Sequence, residues 1–175
     1  MKTPALAFLI AGLCSGAAMA AESAGAAIVP TAETSVSMWR WTTTTPAAGW
    51  EKPGFDDAGW RKSRGGFGSP DTPGSRVGTA WTSDDIWLRR EIELTPEDLA
   101  GPLQLRIHHD NDVEVYLNGV PAFSSAGHRT EYGQVDLSAE ARAALRPGTN
   151  LLAIHCRQTG GGQFVDAGLA RPAGD

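Results

Sequence analysis

Cysteine is scarce: the chain has two, Cys14 and Cys156. Cys14 falls in an N-terminal segment expected to be removed, which leaves Cys156 without a partner for an intrachain disulfide. The fold must then be held by packing, even in a compartment that permits disulfides. A lone thiol among Leu, Ala and Ile residues reads as a small buried hydrophobe, not a reactive nucleophile. Positive charge is also short. The net charge is −5, and it becomes one unit more negative once Lys2 is lost. A phosphate backbone would be poorly attracted to such a surface, so no nucleic-acid partner is expected. Long apolar runs are missing: Pro4 to Leu13 is too short to span a bilayer. There is no internal repeat, no coiled-coil heptad pattern and no alternation of strands with helices, which argues against a parallel sheet.

What is present starts with a leader. Met1-Lys2, the apolar run, and Ala18-Met19-Ala20 have the charge, length and small-residue end of a secretory signal peptide, residues 1–20, cleaved after Ala20. Leu13 stands before Cys14 where acyl-cysteine processing would want a small residue, so lipidation is not expected. The protein is expected to be secreted or periplasmic. Residues 21–33, rich in Ala and polar side chains, are expected to be a flexible lead-in, and residues 34–172 a single domain.

The domain reads as all-β. Ser35 to Thr42 alternates and carries two tryptophans, as a strand does. Residues 46–75 are rich in Gly, Pro and Asp, with Trp50, Phe55, Trp60 and Phe67 among them, and are expected to be packed but irregular. Strands are predicted at Ile86 to Leu94, Leu103 to Ile107, Asp112 to Asn118, Val120 to Phe123, Tyr132 to Leu137, Asn150 to Arg157 and Phe164 to Leu169. Asn118-Gly119 predicts a tight hairpin, and Pro121 places the return strand at an edge or a bulge. Pro96 to Leu99 reads as a turn. One short helix is predicted over 139–145, capped by Ser138 and ended by Pro147-Gly148. Many short strands joined by turns give a jelly-roll β-sandwich with one decorating helix.

Several segments resemble a known family. Phe55-Asp56-Asp57-Ala58-Gly59-Trp60 is similar to the F-D-D-x-x-W element of galactose-binding-like domains, and Gly65-Gly66-Phe67-Gly68 follows it in the familiar way. Trp87 to Ile92 is similar to their W-x-R-R-x-F strand, Asp112 to Gly119 to their V-x-V-Y-L-N-G hairpin, and Pro147 to Ile154 to their P-G-x-N-x-L-A-V strand. The ordered set resembles the sugar-binding jelly roll of family 2 glycoside hydrolases. His155 to Leu169 resembles accessory domains of large secreted bacterial hydrolases. The resemblance implies a non-catalytic carbohydrate-binding module, with a glycan or polysaccharide as ligand. The alternatives are a structural or protein-interaction module that packs on a secreted hydrolase, and a weak glycoside hydrolase. Fold alone does not decide among them.

Candidate site residues follow from residue type and place. His108-His109-Asp110-Asn111-Asp112 is the densest polar run. Asp110 and Asn111 would hydrogen-bond sugar hydroxyls, Asp110 and Asp112 would ligate calcium through oxygen, or the whole run is a polar turn capping its own backbone. Calcium is the one cofactor this sequence suggests. Trp81 and Tyr132, beside polar loops, are candidates for stacking on a sugar ring, with core packing as the alternative. Gln158 and Gln163 flank Gly160-Gly161-Gly162 and either read ligand hydroxyls or satisfy buried backbone groups. The glycines lack the Lys-Ser/Thr of a phosphate loop. No G-x-S-x-G or H-E-x-x-H motif appears, and no carboxylate pair stands out as glycoside-hydrolysis machinery. His155 and Cys156 are adjacent in a strand and point to opposite faces, so they form no dyad. The chain is expected not to be an enzyme.

Overall fold

The computed structural model describes residues 25–173. The leader over 1–20 and the start of the lead-in lie outside the described residues. Two six-stranded sheets face each other. The first runs β10 (Gly133–Asp136), β7 (Gln104–Asp110), β12 (Phe164–Ala170), β4 (Phe67–Gly68), β5 (Thr79–Ala80), and β1 (Ala27–Val29) also pairs with β12. The second runs β3 (Arg61–Arg64), β2 (Met38–Thr42), β6 (Asp85–Leu94), β11 (Gly148–Arg157), β8 (Asp112–Leu117), β9 (Val120–Ser125). All pairings are antiparallel except β4 with β5. The expected β-sandwich is the fold observed.

Alternation decides which residues fill the space between the sheets. Ile86, Leu88 and Ile92 of β6, Leu152, Ile154 and Cys156 of β11, and Val113, Val115 and Leu117 of β8 come from one side. Leu105 and Ile107 of β7 and Val165, Ala167 and Leu169 of β12 come from the other. Trp39, Trp41, Phe67 and Trp81 complete the same cluster. The Cys156 thiol is buried within it, and burial pushes its pKa up, so it is an inert packing group. The hairpin forms as predicted: Asn118 and Gly119 both take positive φ, 51° and 84°, as the tight turn between twisted strands requires. Pro121 lies in the edge strand β9, beside a register shift opposite Val115 and Tyr116, where a missing N–H costs no ladder bond.

Three expectations need correction. The lead-in is not free over its described part: β1 pairs with β12, Val29 and Thr31 are buried, and the Ala32 N–H donates to Asp166. Its short apolar stretch sits against a strand whose two faces both need cover. The stretch over 46–75 contains β3 and β4, too short to show a period in sequence. Pro96 to Leu99 is not a bare turn but the start of helix α1 (Pro96–Ala100). Thr95 caps it by accepting from the Asp98 N–H, Asp98 reaches back to the Thr95 N–H, and Pro96 opens the first turn. Its last carbonyls accept from Arg171 and Arg142. The predicted helix is α2 (Ala139–Ala143), capped by Ser138 as expected.

Segment 43–60 folds over the outer face of the second sheet. Arg89 of β6 is buried beneath it and holds it: the guanidinium donates to the Asp57 carboxylate at 2.7 Å, to the Lys52 carbonyl at 3.1 Å and to the Trp50 carbonyl. Phe55 lies over that guanidinium, and Trp50 meets the Tyr116 ring edge-on. The F-D-D-x-x-W resemblance thus marks a fastening of the fold.

Candidate functional site

The polar run predicted as a site is drawn inward. β7 continues through His108 and His109 to Asp110, so the run ends a strand and turns the corner into β8. His108 and Asp166 are opposite each other in the β7–β12 register, on the outer face of the first sheet. That face is covered. Tyr132, only 8% exposed, donates its hydroxyl to Asp166 at 2.8 Å and packs edge-on against His108 and Phe164. Glu33 clamps Arg106 with two hydrogen bonds of 2.7 and 2.8 Å, and the guanidinium lies over the Tyr132 ring. Burial lifts the Asp166 carboxyl to about 6, against the hydrogen bonds from Ala32 and Tyr132 that favour its charge. Burial also lowers the pKa values of His108 and His109 and raises that of Asp110.

Asn111, Gln158 and Gln163 shape the glycine loop. The Asn111 side-chain oxygen accepts from the Thr159 and Gly160 N–H groups. The Gln163 amide donates to the Ser83 carbonyl, and the Gln158 amide to that of Gly161. Gly162 approaches Asp110 so closely that a Cβ there would sit 2.4 Å from a carboxylate oxygen. Trp81 is 2% exposed; its indole N–H donates to Ser83. The structure thus brings Trp81, Asp110, Asn111, Gln158 and Gln163 to one end of the sandwich, with Tyr132 on the adjoining face. Trp81 and Tyr132 are packed residues, the core-packing alternative and not the stacking platform, because covering a large ring is worth more to the fold than exposing it. Asp112 spends one carboxylate oxygen on the Gly127 N–H. Among the described residues, no group of three or more His, Cys, Asp or Glu side chains is placed to hold a metal ion.

The open site lies on the other sheet. Antiparallel register places side chains in rows across its outer face. One row holds Asp85, Arg157 and Asp112; the next holds Trp87, His155, Glu114 and Ser124. Trp87 and His155 stack with ring centroids 4.7 Å apart and planes within 5°. The His155 imidazole is held between two carboxylates, Asp85 at 2.7 Å and Glu114 at 3.5 Å. Glu114, whose side chain is 55% exposed, also accepts from the Tyr116 hydroxyl. Over these rows is a cavity of about 430 Å³, lined by Asp112, Glu114, Ser124, Ser125, His155 and Arg157 among others. A second cavity of about 390 Å³ shares Glu114 and Ser124 with it and continues past Tyr116, Pro121 and Phe123. The sequence offered no motif for this site. Its one signal was polar side chains at alternate positions of β8 and β11, Asp112-x-Glu114 and His155-x-Arg157, facing away from apolar neighbours.

No protein-family model matches the chain. It is 28% identical over 125 residues to an α-L-rhamnosidase of Streptomyces avermitilis, a match that spans 67% of this chain but 12% of that protein. Among solved structures it is similar to a glycosyl hydrolase family 2 member from Bacteroides cellulosilyticus, with a TM-score of 0.53 and 15% identity over 77% of this chain and 20% of that one. A β-glucuronidase of Bacteroides uniformis (TM-score 0.52, 17% identity, 78% and 18% covered) and one of an uncultured Clostridium (0.51, 13%, 84% and 30%) are also similar. The fold is therefore one found within family 2 glycoside hydrolases, as the sequence resemblance implied, and the chain corresponds to a minor part of those proteins. No helix among the described residues is long and apolar enough to cross a membrane.

Proposed function

We propose that this protein is an exported, non-catalytic carbohydrate-binding module associated with glycoside hydrolases. The observation that carries the reading is the open groove on the second sheet, where Glu114, Asp112, Arg157, Ser124 and His155 line a cavity and His155 is backed by the buried Trp87 ring. Carboxylates accept from sugar hydroxyls and a guanidinium donates to them, without covalent chemistry, and a few such groups in a concave site fix a ligand's orientation. Asp85 and Glu114 both face the His155 imidazole. That engagement favours binding over hydrolysis, which needs two carboxyl groups flanking the scissile bond. The test is binding of the purified protein to a broad glycan array, with calcium and with a chelator. Specific signal that Glu114→Gln removes supports the reading; a flat array from folded protein overturns it. Loss in chelator would bring calcium in, with the unpartnered Asp110 carboxylate oxygen as the first ligand to test.

A second reading is a module that packs on a secreted hydrolase. Val36 and Met38, 69% and 44% exposed, favour it, since both are apolar side chains left uncovered. Titration against a candidate secreted hydrolase separates the two: binding that Val36→Ser abolishes and Glu114→Gln leaves intact belongs to this second reading.

A further inference from the structure

The two cavities on the second sheet differ in chemistry and meet at shared residues. The first is polar, built around Asp112, Glu114, His155 and Arg157. The second offers the half-buried Tyr116 ring with the exposed Pro121. Glu114 and Ser124, opposite each other in the β8–β9 register, line both. From Asp112 to Tyr116, four residue-to-residue steps along β8 span about 13 Å at ~3.3 Å per step, which is longer than one sugar ring. Tyr116 is held in place: Trp50 packs against it in a T-shaped contact and its hydroxyl is tied to Glu114. A rigid ring of this kind contributes apolar contact at little entropic cost.

Resting on the glycan-binding reading, we propose that the two cavities form one groove that takes at least two linked sugar units along β8. One unit places its hydroxyls on Glu114, Asp112 and Arg157, and the next lays its apolar face on Tyr116 and Pro121. The ligand is then a stretch of oligosaccharide chain and not a lone monosaccharide.

The test uses immobilised mono-, di-, tri- and tetrasaccharides of gluco-, galacto-, manno- and rhamno-configured sugars, followed by titration calorimetry on the configuration bound. Affinity is expected to rise about tenfold or more from the monosaccharide to the trisaccharide, a step worth about 1.4 kcal/mol. Tyr116→Ala is expected to erase that step, so that the trisaccharide binds no more tightly than the monosaccharide. Glu114→Gln is expected to weaken every length. Because Tyr116 also packs against Trp50, Ser124→Trp supplies a second test: it leaves that packing alone, obstructs the junction and should flatten the length dependence. A monosaccharide bound as tightly as the trisaccharide, or length dependence that survives Ser124→Trp, overturns the two-unit groove while the glycan reading stands. Binding to no member of any series overturns that reading, and this inference with it.

Discussion

Each sheet turns one face to the core, but the two differ in what they do with the other. On the first sheet, the outer face carries His108, Asp110, Asp166 and Arg106, and the chain folds the start of the domain, Tyr132 and the glycine loop over them. On the second, segment 43–60 covers the part over Arg89, while Asp112, Glu114, Ser124, His155 and Arg157 line cavities. Both faces are polar. What separates them is whether the rest of the chain shuts the polar groups away from solvent. Asp166 has Ala32 and Tyr132; Glu114 has the Tyr116 hydroxyl and a long approach to His155, and keeps more than half its side chain in solvent. A covered polar face fastens the fold, whereas an uncovered one can bind.

The sharpest way to break this comparison is at Trp81. If it is a packed residue, Trp81→Ala should cost about 3–5 kcal/mol of stability, seen as a large fall in the denaturant midpoint. A glycan-binding loss without such a fall would restore it to the ligand site. The pH dependence comes next. Asp166 has its folded pKa raised to about 6 from 3.8. The native state therefore binds the proton more tightly than the unfolded chain, and the cost of the buried charge is relieved as pH falls from about 7 to about 4. His108 and His109 act in the opposite sense: their folded pKa values are lowered, so acid below 6.5 destabilises through them. The difference between the parent and Asp166→Asn isolates the carboxylate. Parent stability relative to the variant should rise by on the order of 2–3 kcal/mol across that window. A flat difference would mean that Asp166 is not the sealed group described.

Smaller effects sharpen the same contrast. Tyr132→Phe removes one of the hydrogen bonds to Asp166 and should cost about 1–2 kcal/mol, measured by urea unfolding, with glycan affinity unchanged. Glu114→Gln should leave stability within about 0.5 kcal/mol yet weaken glycan binding about tenfold, a change of ~1.4 kcal/mol. The two substitutions are mirror images: one should move the melt and not the binding, the other the binding and not the melt.

The wrong expectations cluster where a residue's surroundings come from elsewhere in the chain. Trp81 and Tyr132 stand beside polar loops, and nothing local reveals that Ser83 and Asp166 receive their polar atoms. The His108 to Asp112 run has the composition of a turn but ends a strand, since β12 supplies partners as far as Asp110. The capping signature Thr95-x-x-Asp98, by contrast, is local, although a five-residue helix shows no period to accompany it.

Local rules, readable residue by residue, account for one part of this protein. Alternation wrote the core faces of β6, β8 and β11, Asn118-Gly119 wrote its hairpin, and Ser138 capped its helix. The tertiary structure alone decided which polar face would be closed. His155 meets Glu114 only because β11 lies between β6 and β8, and Asp166 is sealed only because residues far away in sequence fold across it. A side chain's period along a strand is a local property, but its partners across strands and its access to water are set by register and by what else packs there.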